Sequence, residues 1–409
     1  MVLQIYRGLT RPVFFDMDND GDLDMYLINN PKEHTKAREY KTGEIRLVDL
    51  NPTYAGSDKL YQNNNGNFID ITKKAGLVNA DYGLGIVAAD LNNDGYQDLY
   101  IANDYSKPDA ILINNKNGTF KNTTASTLKH MSKFSMGVDI ADINNDGLLD
   151  IFNSEMLGQD NYSKKVNMAS MNPKLYWGFV NSGYHYQDMH NSLQLNNGND
   201  TFSEIAWMAN VAETDWSWCP LIAGFDNNGT NDIALGYYNN NSLYPVRGLQ
   251  CSAEQNPDLK ESIRSFSEFG SLTFDAVYNK YDLSDAIKLE ATYFQSAVFI
   301  NNKTSFSILP LPNENQMAPT NRSIALDIRG KITILTIGNF HPVEVETGRY
   351  DAHTGTVLVA QGEDIVYQSN TGFFNDKDAR DIDLITINGK KHIVVANNRE
   401  QLTFFEVLE

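Results

Sequence analysis

A nine-residue acidic frame, D-x-[DN]-x-D-G-x-x-D, recurs at Asp16, Asp90 and Asp142, each time between two short apolar runs. The copies read "RPVFFDMDNDGDLDMYLINN", "GIVAADLNNDGYQDLYIAND" and "GVDIADINNDGLLDIFNSEM", so the steps between first aspartates are 74 and 52 residues. A fourth copy, "PLIAGFDNNGTNDIALGYYNN", keeps the frame but has Gly224 at its first acidic position. Two more, "SIALDIRGKITILTIGNF" and "DIDLITINGKKHIVVANN", keep the apolar runs and replace the loop by a short turn with glycine. Self-similarity at such a period marks a repeat architecture and constrains the fold more than any bulk property does.

A second element follows four of the loops: "KLYQNNNGNFIDIT", "AILINNKNGTFKNTT", "SLQLNNGNDTFSEIA" and "AVFINNKTSFSILPL". Each reads as a strand, an Asn/Gly turn and a strand. One unit is therefore a meander of four short strands with the acidic loop between its first and second. Such a unit cannot bury both sheet faces alone, so copies pack face to face around an axis, as in a β-propeller.

The expected fold is all-β: one propeller domain over residues 1–409, built from four-stranded antiparallel blades. Six blades are counted, and a seventh within residues 240–296 is the rival count. The last repeat lacks a fourth strand, and "VLQIYRG" at the N-terminus is expected to supply it and close the ring, removing an open edge. Insertions are placed at about 31–58, 157–190 and 243–294, all between second and third strands. The last contains "PDLKESIRSFSEFGSLTF", which reads as one amphipathic helix.

Oxygen-bearing side chains at positions 1, 3 and 5, Gly at 6 and Asp at 9 make a loop suited to a hard cation. Calcium takes six to eight oxygen ligands, and position 7 offers its backbone carbonyl. The candidate ligands are Asp16, Asp18, Asp20, Asp22 and Asp24; Asp90, Asn92, Asp94, Tyr96 and Asp98; and Asp142, Asn144, Asp146, Leu148 and Asp150. About three Ca²⁺ sites are expected, with a weaker one at Asp226, Asn228 and Asp232. A solvated acidic turn is the plainer reading of any single loop. An EF-hand is excluded, because position 12 is Leu27, Ile101 or Asn153 where that motif needs Glu.

The net charge of −19 argues against nucleic acid or an anionic membrane as partner. There is no apolar run of membrane-spanning length. The start, "MVLQIYRGLT", lacks the regions of a secretory signal, although a longer precursor can carry one. Cys219, in an apolar run, is expected to be a buried thiol; Cys251 carries no clear role.

With these loops in view, the chain resembles the FG-GAP/VCBS repeat proteins, whose calcium-loop propeller also forms the head of integrin α chains. It is most similar to secreted or surface repeat proteins of Bacteroidota-type bacteria, relatives of cartilage acidic protein. The stretches "KFSMGVDIADINNDGLLDIF", "GYHYQDMHNSLQLNNG", "ETDWSWCPLIAGFDNNG", "PLPNENQMAP" and "GNFHPVEVETGRYDAHTG" carry the likeness. It implies calcium at Asp16, Asp18, Asp20 and Asp24, at Asp90, Asn92, Asp94 and Asp98, and at Asp142, Asn144, Asp146 and Asp150. Relatives of this kind are typically longer, with an export signal, further repeats and often an ASPIC/UnbV-type domain. This chain reads as a shortened version.

Two clusters lie beyond the repeat. "LYWGFVNSGYHYQDMH" places Tyr176, Trp177, Phe179, Tyr184, His185 and Tyr186 in an insertion, where rings can stack on a sugar or grip a peptide. The alternative is that they pin the insertion onto the disc. "GNFHPVEVETGRYDAH" gathers His341, Glu344, Glu346, Arg349, Tyr350, Asp351 and His353, either a general base with an arginine or a polar loop capping a blade. Trp216 and Trp218 read as inter-blade packing. No nucleophile elbow, P-loop or zincin motif is present. The expected function is an extracellular, cell-surface or periplasmic, non-catalytic module that binds a glycan or protein ligand, monomer favoured. A calcium-dependent, lyase-like enzyme acting on polysaccharide is the alternative.

Overall fold

The computed structural model describes residues 10–30, 36–39, 45–48, 57–77, 81–105, 107–160, 164, 173–226, 230–237, 258–279, 295–342, 349–361 and 364–408. They form a six-bladed β-propeller. Blade 1 runs Thr10–Phe15, Asp24–Asn29, Lys59–Asn64 and Asn67–Asp70. Blade 2 runs Tyr82–Ala89, Asp98–Asp104, Ala110–Asn114 and Phe120–Asn122. Blade 3 runs Gly137–Ala141, Asp150–Ser154, Ser192–Asn196 and Phe202–Glu204. Blade 4 runs Ser217–Ala223, Asp232–Tyr237, Ala297–Asn301 and Phe306–Pro310. Blade 5 runs Thr320–Ile328, Lys331–Gly338, Thr356–Gln361 and Asp364–Tyr367. In blade 6 the described strands are Ala379–Ile387, Lys390–Asn397 and Thr403–Glu406. The expected closing strand, residues 2–8, lies outside the described residues.

Within each blade the strands pair in chain order. The first strand of each blade neighbours the first strand of the next, from blade 1 through blade 6. Close approach there requires small residues: a Cβ on Gly137 would lie 2.8 Å from Pro220 Cδ and 3.0 Å from the Cys219 nitrogen in the next blade.

The blades are held together by five apolar clusters, each spanning one junction between consecutive blades. Strand pleating explains how one sheet serves two junctions, because successive side chains point to opposite faces. In blade 2, Leu99 and Ile101 pack toward blade 1, while Tyr100 and Ala102 pack toward blade 3. All four side chains are fully buried, and each contributes roughly 1.5–3 kcal/mol through burial of a large apolar group, less for the alanine. This is why the second strands read as unbroken apolar runs.

Residues 258–262, 266–271 and 274–277 are helical, so the insertion after the second strand of blade 4 holds no seventh sheet among its described residues. The expected single helix there is three short ones. Ser265 leaves the helical path, and its Oγ accepts the Glu268 N–H at 3.1 Å, so it caps a new helix. The shortened loops of blades 5 and 6 are two-residue turns at Arg329–Gly330 and Asn388–Gly389. Both residues of each have positive φ, the type I′ geometry that suits a hairpin. Cys219 is buried and in no disulfide, while Cys251 lies outside the described residues.

The path of the chain creates two faces. First-to-second and third-to-fourth connections leave the strands at one end, which therefore carries the acidic loops. Second-to-third connections leave at the other end and carry the insertions. The first insertion contains the hairpin Lys36–Glu39 with Ile45–Val48, and the second contains the helix Pro173–Asn181.

Candidate functional site

The three acidic loops share one conformation. Position 4 is left-handed in each (Asn19, Asn93 and Asn145, φ 55 to 61°), and the glycine at position 6 has φ near 86° (Gly21, Gly95, Gly147). The first aspartate folds the loop back on itself. Asp16, Asp90 and Asp142 accept the N–H groups of positions 5 and 6 at 2.8–3.2 Å. Asp20, Asp94 and Asp146 accept the N–H of position 7, at Asp22, Tyr96 and Leu148.

The first loop fits a cation best. One carboxylate oxygen from each of Asp16, Asp18 and Asp24 lies within 4.8 Å of the others. Asp18 Oδ1 and Asp22 Oδ1 are shielded from solvent and have no hydrogen-bond partner. Loops 2 and 3 are more self-satisfied, since Asn92 and Asn144 donate to Asp94 Oδ2 and Asp146 Oδ2 at 3.0 and 2.9 Å. In loop 2 the Lys116 ammonium also stands 3.4 Å from Asp94 Oδ2 and over the Tyr96 ring.

The ninth position has a second task. Asp24, Asp98 and Asp150 are fully buried. One oxygen of each accepts the N–H of position 2 (Met17, Leu91, Ile143), and the other accepts the N–H of an asparagine ending the third strand (Asn63, Asn114, Asn196). Asp232 makes the same clasp to Phe225 and Asn301 in blade 4, where the first acid is gone. Burial raises all four carboxyls to about 6 despite these N–H donors. Asp226 is present beside this clasp, and Asn228 lies outside the described residues.

On the opposite face, Tyr176 and Phe179 of the helix Pro173–Asn181 line a shallow cleft with Lys133, His185 and Gln187. Lys133 Nζ sits 5.6 Å from the Phe179 ring centre, and Tyr184 packs edge-on against Phe179. No residue of the helix is buried. Trp177 is 53% exposed and Tyr186 44%, whereas Tyr176, Phe179, Tyr184 and His185 are partly buried. Trp218, by contrast, donates its indole N–H to the Thr320 carbonyl of blade 5, as expected for inter-blade packing; Trp216 is partly exposed.

Within the described part of the cluster from 341 to 353, the Phe340–Tyr350 bridge brings the backbone at His341 alongside that at Arg349. His353 is fully buried, with Nδ1 accepting the Gly355 N–H and Nε2 3.2 Å from Thr336 Oγ1; burial lowers it to about 4. Arg349 and Asp351 are exposed, and among the described residues no hydrogen bond or ion pair joins them to His341. Glu344 and Glu346 lie outside the described residues.

One constellation escaped the sequence reading. His130, His190 and Glu204 come together on the insertion face of blade 3, with one ligand-type atom from each within 4.8 Å of the others. They are 60 and 14 residues apart, so no local spacing betrays them. Burial pushes the Glu204 carboxyl up, but the imidazoles of His130 and His190 and the Ala206 N–H outweigh it and bring it to about 2.

The family described as FG-GAP-like repeat matches residues 47–101 and 90–152, which contain loops 2 and 3. No curated protein matches the chain. Among solved structures, a lectin of Agrocybe aegerita, described for specific recognition of non-reducing terminal N-acetylglucosamine, is similar at 13% identity. That alignment covers 97% of this chain and 79% of the lectin, with a TM-score of 0.42. Two matched FG-GAP-like repeats within a six-bladed β-propeller support an FG-GAP repeat propeller family for this chain.

Proposed function

We propose that this propeller is a calcium-loaded, non-catalytic binding module that works outside the cytoplasm on a glycan or protein ligand. The observation that carries the reading is the exposed aromatic helix Pro173–Asn181, which buries none of its residues yet walls a cleft with Lys133 and His185. Aromatic rings joined to a few polar groups suit stacking on sugar rings or holding a peptide segment.

Calcium would be held by Asp16, Asp18, Asp20 and Asp24, with the Asp22 carbonyl, and by the matching residues of loops 2 and 3. The orphaned oxygens of Asp18 and Asp22 and the all-oxygen donor set support a hard cation. Extracellular modules of this kind bind calcium at roughly 10⁻⁴–10⁻³ M. At cytosolic calcium they stay empty, which is the reason for placing the protein on the cell surface, in the periplasm or outside the cell. The metal here stiffens the frame, while the chain's own rings do the recognising.

A glycan and peptide array probed with calcium and again with chelator tests the proposal. Binding that falls with Trp177→Ala and Tyr176→Ala, while the fold is kept, is the expected result. An array with no hits, or hits indifferent to both substitutions, would remove the cleft from the reading.

A further inference from the structure

The insertion face of blade 3 carries a second cluster of a different chemistry. His130 Nε2 stands 3.5 Å from Glu204 Oε2, and His190 Nε2 stands 3.7 Å from the same oxygen. His190 is 3% exposed, and its Nε2 has no hydrogen-bond partner. A buried ring nitrogen left without a partner loses the hydrogen bonds water would give it, which is costly unless something else occupies that place.

Comparison of the blades shows what is special here. The last residue of the fourth strand is Asp70 in blade 1, Asn122 in blade 2 and Glu204 in blade 3. Each accepts the N–H two residues on, at Thr72, Thr124 and Ala206, and so closes the turn that leaves the blade. In blade 3 the glutamate does this with one oxygen and brings the other beside the two imidazoles. Glu204 Oε1 accepts the Ala206 N–H at 2.7 Å and the Leu193 N–H at 3.2 Å, and these bonds aim Oε2 at the two imidazoles. At the position two residues before the third strand, blades 1 and 2 have Ser57 and Pro108 where blade 3 has His190.

We infer that His130, His190 and Glu204 form a divalent transition-metal site, with Zn²⁺ as the fitting ion. A zinc ion bonded at about 2.0–2.1 Å to tetrahedral ligands sets them roughly 3.4 Å apart, within a few tenths of an ångström of the two histidine–Glu204 spacings, and all three ligand atoms lie within 4.8 Å of one another. Two imidazole nitrogens and one carboxylate oxygen select zinc-type ions over calcium, which takes oxygen donors. Backbone N–H groups holding the far oxygen of Glu204 are the kind of support that orients a metal-binding carboxylate. Three protein ligands leave one position for water, and His130, 35% exposed, stands at the open side of the cluster. The site is independent of the acidic loops, which sit at the other ends of the strands.

The test is titration of the metal-stripped chain with ZnCl₂ by calorimetry in saturating calcium, which keeps the acidic loops out of the reading. Cobalt(II) absorption reports ligand geometry in parallel. The expected result is one zinc per chain and the intense visible bands of four- or five-coordinate cobalt. His130→Ala and Glu204→Gln should each weaken zinc at least about tenfold, in line with lesser changes around metal sites. Glu204→Gln keeps the acceptor for the backbone, and His130 is near the surface, so both variants are checked for unaltered circular dichroism. No zinc uptake by the parent chain, or equal uptake in both folded variants, overturns the site.

Discussion

Asn114 donates its side-chain amide to the main-chain carbonyl of Met17, 2.7 Å away in the loop of the preceding blade. The same amide reaches the Gln97 carbonyl in its own blade, so one residue ties two adjacent acidic loops. Asn196 repeats this to Leu91 and Leu149, and Asn301 to Ile143 and Asn231. Asn63, in the first blade, reaches only the Leu23 carbonyl of its own loop. Asn114→Ala should therefore cost about 1–3 kcal/mol in urea unfolding, because buried carbonyls lose their donor. Asn63→Ala should cost less, and the reverse order would deny the latch its role.

Two of the aspartates of loop 2, Asp94 and Asp98, should behave differently when calcium is removed. On the proposed reading, Asp94→Ala lowers the melting temperature in calcium and little in chelator, since it loses about 1–2 kcal/mol of ion binding. Asp98→Ala should cost about 2–4 kcal/mol even in chelator, because its two clasping hydrogen bonds need no ion, and more in calcium, where it is also a ligand. Equal losses for Asp94→Ala in both buffers would count against metal in that loop.

Glu155 gives stability a definite slope with pH. It is fully buried, and burial raises its carboxyl to about 8 although the Met156 N–H donates to it at 2.6 Å. The native state thus holds a proton that the unfolded chain releases above about pH 4. This contribution is fully present below that pH and is lost as pH rises toward 8, at up to about 1.4 kcal/mol per pH unit. Glu155→Gln, neutral throughout, should be more stable than the parent at pH 8 and much closer to it at pH 5. Parallel stability curves for the two proteins would refute this.

Trp177→Ala should leave the free energy of unfolding within about 0.5 kcal/mol of the parent, because an exposed ring has little burial to lose. A clear destabilisation would mean that the ring serves the fold and not a ligand.

How far the chain could be read depended on where the information is local. The acidic frame, the Asn/Gly turns and the apolar second strands fix the blade, since each is set by neighbours a few residues away. The third and fourth strands of blade 5, Thr356–Gln361 and Asp364–Tyr367, carry no Asn/Gly signature and were not picked out. Asp24, Asp98 and Asp150 were read as cation ligands, but their clasp to the third strand depends on register. His353 looked like a candidate base beside Arg349, and only packing shows its ring turned inward. His130, His190 and Glu204 meet because a blade brings its linker, its third strand and its fourth strand to one end, a proximity no spacing rule encodes.

Arg329–Gly330 and Asn388–Gly389 replace the acidic loop with turns that carry no charge cluster to be neutralised. Under the calcium proposal, blades 1 to 3 draw part of their cohesion from the surrounding fluid, and blades 5 and 6 take theirs from the polypeptide itself. Depleting the medium of divalents would then soften one arc of the disc and spare the other. Hydrogen exchange would see the ring loosen from a single side.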